Sequence, residues 1–386
     1  MTTTEDSIVS EDRLAWLALA LSPGVGPRRI LDAMRRMESP SELFSLPLTA
    51  LEALRFPAET AQYIFEGKAR AAAELEQARV VEQQGHLLAF DDERYPERLK
   101  EIYDPPPVLW VRGAAHLLNA PSIAIVGTRH PSPYGTGMAE MLARDLATRG
   151  LLIVSGMARG IDTSAHRGAI SAHRPTVAVW GTGIDVVYPK ENRKLAEEIL
   201  ASGGAIVSEL AMGTFPAPQN FPRRNRILSG VSVGVLVVEA GEHSGTRVTA
   251  RCALEQNRDV YAVPGNATNK NSWTPNTLIK QGAQLTASWE DVWEALPSQV
   301  RLQVESAGGI ATNGQAGASY LSEPQLGAQD AMVLEVLKAD ESMQIDEVLE
   351  KLETEMTSSE VFTALFELEM AGRIRKLPGN CYVLSF

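Results

Sequence analysis

A chain of 386 residues, 44% hydrophobic and 22% charged, is long enough for two or three domains and too apolar to be disordered throughout. Its formal net charge of −12 excludes a global positive field, so any contact with nucleic acid has to come from a local basic patch and from backbone N–H groups. Two distant cysteines, Cys252 and Cys381, and six scattered histidines match no metal or redox spacing, and no apolar run reaches the length of a membrane span, so neither metal, cofactor nor membrane contact is expected.

Residues 1–84 begin acidic and polar, unlike a secretory signal, which favours the cytoplasm. They continue with apolar positions three and four apart, the period of helices. Within them Leu21-Ser22-Pro23-Gly24-Val25-Gly26-Pro27, with a helix following, resembles the turn of a SAM or helix-hairpin-helix unit. Such a turn presents N–H groups to a DNA phosphate, although a plain helix–helix connection fits the same residues. Residues 85–299 alternate short β-branched runs with helical segments, which predicts an α/β domain of the extended Rossmann type, with a doubly wound, mostly parallel sheet. Strands are expected at 122–127, 151–155, 176–180, 205–208, 233–239 and 259–263. Residues 300–328 are rich in Gly, Ala, Ser and Gln without periodicity, and read as a flexible linker. Residues 329–386 predict three short helices and a hairpin around Pro378-Gly379-Asn380, the outline of a winged helix. Its third helix carries Glu360, Glu367 and Glu369 and no Lys or Arg, which opposes major-groove readout and favours a protein contact or support of a dimer.

An open doubly wound sheet binds its ligand beyond the carboxyl ends of its strands. After the first of the expected strands, Gly127 allows a tight turn, Thr128 offers a hydroxyl and Arg129 a planar fork for phosphate. Gly135 and Gly137 then open a helix whose N–H groups favour an anion. The second strand ends in Ser155-Gly156-Met157-Ala158-Arg159-Gly160-Ile161-Asp162, where two glycines around an arginine suit an anion nest. Asp162 fits a helix N-cap better than a general base, and His166 fits a packed structural histidine. Lys190 follows Tyr188-Pro189. Phe221-Pro222-Arg223-Arg224-Asn225-Arg226 is a dense basic cluster, read either as a solvated face or as a loop held beside the site. Ser244-Gly245-Thr246 opens another helix, and Lys280 stands as a further rim cation. The spacing is not GxGxxG and no acidic residue ends the second strand, which argues against a dinucleotide. Several anion sites along one sheet edge suit several phosphates in a row, and so a single polynucleotide strand, with Phe221 or Tyr188 to stack on bases.

Taken in order, these segments resemble the DNA-processing protein A (Smf) family. The series runs from Tyr95-Pro96 through Ile125-Val126-Gly127-Thr128-Arg129, Ser155 to Asp162, Ala165-His166, Tyr188-Pro189-Lys190 and Phe221 to Arg226. It continues with Val238-Glu239-Ala240, Ser244-Gly245-Thr246, Ala262-Val263-Pro264-Gly265 and Leu278-Ile279-Lys280-Gln281-Gly282-Ala283. The resemblance implies a Rossmann domain that forms a homodimer and binds single-stranded DNA. It also implies protection of that DNA and loading of a RecA-type recombinase during natural transformation. By motif matching, Gly127, Thr128 and Arg129 become the phosphate loop, Lys190 a DNA-contacting lysine, and Arg223 to Arg226 a basic loop beside the groove. Thr128 stands where the family more often has serine, and 269–276 lacks a usual glycine.

The competing expectation is an enzyme, a nucleotide phosphoribohydrolase of the lysine-decarboxylase-like type, with Asp162, Glu209 and Glu239 as acid–base groups. That type carries Pro-Gly-Gly-x-Gly-Thr-x-x-Glu after a late strand. Here Glu239-Ala240-Gly241-Glu242-His243-Ser244-Gly245-Thr246 lacks the paired glycines and the following Glu. A non-catalytic binding protein, with no catalytic residue, is therefore expected.

Overall fold

The computed structural model describes residues 11–306, 328–338, 341–370 and 373–384. Strands that are apolar at consecutive positions need cover on both faces, and the chain supplies it. Five helices come first: α1 (Glu11–Leu21), α2 (Pro27–Met34), α3 (Leu48–Ala53), α4 (Ala58–Phe65) and α5 (Lys68–Glu82). Then come β1 (Gly85–Ala89), α6 (Glu97–Lys100), β2 (Val108–Gly113), β3 (Ser122–Val126), α7 (Pro133–Thr148), β4 (Leu152–Ser155), α8 (Ile161–Ser171) and β5 (Thr176–Val179). The sheet is completed by α9 (Arg193–Ala201), β6 (Ala205–Ser208), α10 (Asn220–Val231), β7 (Gly234–Val237), α11 (Thr246–Glu255), β8 (Asp259–Ala262), α12 (Trp273–Lys280) and β9 (Gln284–Leu285). Two helices, α13 (Trp289–Ala295) and α14 (Ser298–Ser306), follow it.

The nine strands lie in the order β1-β2-β6-β5-β4-β3-β7-β8-β9. All neighbours from β6 to β9 are parallel, whereas β1 and β2 pair antiparallel with each other and β2 pairs antiparallel with β6. The order reverses between β3 and β7: the chain leaves β3 towards β4, β5 and β6, then returns to lay β7 on the other side of β3. That reversal leaves a crevice at the strand ends.

Alternation along each strand divides the core. Leu88, Leu109, Val126, Val154, Val207 and Val237 face α6, α10 and α11 through Leu99, Ile227, Leu228 and Ala250. On the opposite face Ile123, Ile125, Ile153 and Leu236 meet α7, α8, α13 and α14. Further along that face Leu87, Trp110, Ala178 and Ile206 are covered by the N-terminal helices through Leu14, Leu17, Ala69 and Ala73. Residues 11–82 therefore share their core with the sheet. Buried Glu76 seals the joint, accepting hydrogen bonds from Trp110 Nε1 at 2.8 Å and from the Met212 N–H at 2.6 Å.

The structure changes several expectations. The antiparallel pair β1 and β2 lies where no individual strand was placed. The linker does not begin at residue 300: α14 continues to Ser306 because Val300 and Val304 are buried against the sheet's helices. The part of the expected linker at 307–327 lies outside the described residues. After it, α15 (Ala328–Val336), β10 (Met343–Gln344), α16 (Ile345–Leu352), α17 (Ser358–Met370), β11 (Ile374–Leu377) and β12 (Cys381–Leu384) form a winged helix with its own core of Val333, Leu352, Leu365 and Tyr382. The hairpin pairs Ile374 with Leu384 and turns through Gly379 and Asn380, both at positive φ.

Candidate nucleic-acid interface

A groove of about 580 Å³ opens at the switch point between β3 and β7. One wall is the turn after β3, with Gly127, Thr128, Arg129 and His130. The opposite wall is the approach to α11, with His243, Ser244, Gly245 and Thr246. Phe221, Arg224 and Asn225 of α10 complete it. The turn is pinned by the Thr128 N–H donating to the Glu239 carbonyl at 2.6 Å, while the Thr128 carbonyl accepts from the Ile161 N–H at 3.2 Å. A side chain at Gly127 would stand 2.5 Å from Ile161 and 2.8 Å from that Glu239 carbonyl, so only glycine permits the approach.

Beside the α10 start, helices α7, α8 and α11 begin at this edge, each with a positive dipole end. Two carry the protein's own carboxylates, one bonded to the N-cap serine of α7 and one to the loop that precedes α8. At α7 the Ser132 side chain accepts from the Gly135 N–H, while Glu239 accepts from the Ser132 N–H at 2.8 Å and from its hydroxyl at 2.6 Å. At α8 the Asp162 carboxylate accepts from the N–H groups of Gly156 at 3.1 Å and Ala158 at 3.2 Å. Asp162 is thus no N-cap of its helix, a place taken by Gly160; it fills the nest expected around Arg159 for an external anion. Burial pushes its carboxyl up, against the pull of the Arg224 guanidinium and the two N–H groups. The anion site expected at Gly135 and Gly137 is corrected for the same reason. The N-terminus of α11 holds only hydroxyls: Ser244 Oγ accepts the Thr246 N–H and donates to Thr246 Oγ1. Of the three, it is the one without a carboxylate, and its Arg247 and Val248 N–H groups donate to the Ser244 and Gly245 carbonyls at 3.1 and 3.0 Å.

The arginine run is a helix, α10, rather than a loop, and about 100° of rotation per residue sends its members to different faces. Arg224 is buried under the groove, where its Nη1 donates to the Val179 carbonyl at 2.6 Å and Gly156 leaves it room; a Cβ on Gly156 would overlap its guanidinium. Arg226 points away, paired with buried Glu209 and, at 3.2 Å, with Asp104. Arg223 is exposed, with Glu209 3.9 Å away.

Phe221 has an aromatic and a cationic neighbour. The Tyr188 ring lies 5.6 Å away at 38°, and the Arg129 guanidinium stands 5.8 Å from the Phe221 centroid. A smaller recess beside this cluster gathers Gly156, Arg159 and Pro189. Arg159 is exposed and paired with Glu191. Of the other expected residues, Ser155 is buried, its hydroxyl donating to the Ile125 carbonyl, and Gly160 packs its α-carbon on the Thr128 turn. Lys190 and Lys280 are exposed but line neither the groove nor the recess.

Comparison with known proteins places the chain. The family described as DNA recombination-mediator protein A matches residues 86–297, and the DprA winged helix domain matches residues 318–380. The chain belongs to the DNA recombination-mediator protein A family. It is 41% identical over 295 residues to Protein Smf of Escherichia coli, 76% of each chain, and 42% identical over 219 residues to DNA processing protein DprA of Bacillus subtilis, 56% of this chain and 73% of that one. Among solved structures it is similar to DNA processing protein A of Streptococcus pneumoniae, with 33% identity, a TM-score of 0.65, and cover of 75% of this chain and 99% of that one. It is also similar to DNA processing protein A of Helicobacter pylori, whose structure was reported for its single-stranded DNA binding mode, with 32% identity, a TM-score of 0.50, and cover of 55% and 94%.

In this family member the sequence reading missed four polar groove residues, among them Thr249, buried in α11. His130 and His243 adjoin the Arg129 and Ser244 motifs, and that adjacency was the signal available. Asn271 comes from the stretch without the family's usual glycine. Its turn, Lys270–Ser272, forms without one because the Asn269 side chain accepts the Asn271 N–H at 2.9 Å, and Asn271 Nδ2 donates to the His130 carbonyl at 3.0 Å. Among the described residues, no three His, Cys, Asp or Glu side chains cluster as metal ligands, and no helix is long and apolar enough to cross a membrane.

Proposed function

We propose that this protein is a non-catalytic, cytoplasmic DNA-processing mediator. It binds single-stranded DNA in the groove between β3 and β7, protects it, and hands it to a RecA-type recombinase during natural transformation or recombination. The observation that carries this reading is the groove itself. Thr128, Arg129 and the carboxylate-free N-terminus of α11, with its Ser244 and Thr246 hydroxyls, offer successive contacts to phosphates, and the Tyr188–Phe221–Arg129 cluster beside them offers an aromatic face to a base. The proposed DNA contacts are Gly127, Thr128, Arg129, Phe221, Arg224, Asn225, Ser244, Gly245 and Thr246, with Gly156 and Arg159 in the adjoining recess. Arg223 and Lys190 are proposed as outer cations. Arg226 is left out because Glu209 and Asp104 hold it elsewhere.

The similar protein of Helicobacter pylori, with its single-stranded DNA binding mode, supports the ligand, and the family's description as a recombination mediator supports the recombinase as partner. The exposed edge strand β9, bearing Leu285, is a surface to which a second copy of the Rossmann domain can add. No acid–base role is assigned, since Asp162, Glu209 and Glu239 are each engaged by groups of the fold. The test is fluorescence anisotropy with labelled oligo-dT, a matching duplex and AMP as competitor at two salt concentrations. Tight, salt-sensitive binding of the single strand, weak binding of duplex and no competition by AMP are expected. Absence of single-strand binding, with AMP held or hydrolysed, would overturn the proposal in favour of a nucleotide enzyme.

A further inference from the structure

We infer that a second contact for the same DNA strand lies outside the groove, in a basic cleft between the N-terminal helices and the loop before β2; this rests on the single-strand reading above. The cleft measures about 670 Å³ and its charged lining is Arg28, Arg29, Arg36 and Arg55, with Asp32 and Asp104. All four arginines are exposed, and among the described residues none of them forms an ion pair. Asp104 is taken by Arg226 at 3.2 Å, so the cleft keeps a local positive excess in a chain whose net charge is −12. Arg28 and Arg29 occupy the first turn of α2, whose N-cap, Gly26, supplies no side-chain acceptor, so cations and free N–H groups face the same space.

Two further observations point to a polynucleotide strand. Tyr103 is 75% exposed, and the Arg28 guanidinium lies 3.9 Å from its ring centroid. An aromatic left in water beneath a cation is a platform for an unstacked base. Arg55 has φ 65°, a left-handed conformation that glycine adopts at far lower cost, so the backbone is held in strain at a residue whose side chain lines the cleft. The cleft is also joined to the groove. Asp104 binds Arg226, Arg226 binds Glu209, and Arg223, one residue from Arg224 and two from Phe221, stands 3.9 Å from the same Glu209. A strand leaving the groove over exposed Arg223 meets the cleft next.

The experiment compares oligo-dT of about 6 and about 20 nucleotides, chosen to span the common site size of a single-strand-binding fold. For the Arg28→Ala, Arg29→Ala, Arg36→Ala triple variant, affinity for the long strand falls at least tenfold and its salt slope by about 2, three contacts at ~0.7 each. The short strand binds as before. Tyr103→Ala weakens the long strand at least fivefold with the slope unchanged. Arg55→Gly weakens it while the melting temperature stays level or rises, which separates binding from folding. Unchanged long-strand affinity and slope in the triple variant overturn the cleft alone, as does a loss confined to duplex DNA. Failure of the short strand to bind the unaltered protein overturns the groove reading and this one together.

Discussion

Arg129 is the cation that links the two halves of the groove, since it lines the turn after β3 and stands over the Phe221 ring. On the proposed function it makes one phosphate contact, so Arg129→Ala is expected to weaken oligo-dT binding about tenfold and to lower the salt slope by about 0.7. An unchanged slope would remove Arg129 from the interface. His166 is different in kind. The Thr176 hydroxyl donates to the Ile153 carbonyl, so His166 Nδ1 must donate to Thr176 across 2.8 Å, and Nε2 is left bare and buried. Burial, helped by the nearby Arg224 charge, holds its pKa down at about 3. The unfolded chain, with a histidine near 6.5, binds the proton first as pH falls. Stability is therefore complete above about pH 6.5 and is lost progressively towards pH 3, by up to roughly 5 kcal/mol. His166→Phe is expected to flatten that acid limb in urea titrations across this range, and an unaltered limb would refute the assignment.

At the scale of elements, α10 explains why composition misleads about the basic cluster. Pro222 and three arginines in four positions suggested a loop, yet proline is tolerated in a first helical turn and the remaining pattern, with Ile227, Leu228 and Val231 inward, is helical. The helix sorts the arginines into one exposed, one under the groove and one in an ion pair. Arg226→Ala leaves buried Glu209 with only the more distant Arg223 and is expected to cost about 3 kcal/mol of stability, read as a lower urea midpoint, while oligo-dT affinity of the folded protein stays within about twofold. A large loss of affinity at constant stability would return Arg226 to the interface. The strands around the site were legible because β-branched runs ending in glycine are strong local signals. The filling of α7 and α8 was not, because it depends on partners distant in sequence: Glu239 caps Ser132 from 107 residues away. Likewise β1 and β2 carry clear apolar runs, but their antiparallel place at one end of the sheet follows from pairing with β6, which no local pattern records.

Across the whole molecule, cores and sequence regions do not coincide. The N-terminal helices change texture sharply at residue 85, yet Leu87, Trp110, Ala178 and Trp180 lie in one cluster with Leu14 and Leu17. Deleting residues 1–84 would expose that face, and the remainder is expected to be insoluble or molten on expression. Soluble, cooperatively unfolding protein would show that the sheet needs no such cover. The winged helix has a separate core and an acidic third helix, so a chain ending at residue 328 is expected to keep oligo-dT affinity within about twofold by the same anisotropy assay. A larger loss would assign that unit a share of the DNA.

The carboxylates lodged at α7 and α8 have one more consequence. They put negative charge beside the starts of two helices, where the proposed function has no phosphate bind. On the proposed function, a free nucleotide meets repulsion at α7 and α8 and keeps few contacts elsewhere in the groove. A polymer engages the start of α11 and the turn after β3 together, and the tethering of its phosphates makes the second contact intramolecular. Chain length thus becomes the selection criterion. On the proposed function, the protein is expected to stay empty in the presence of the monomers and to fill only when they come linked.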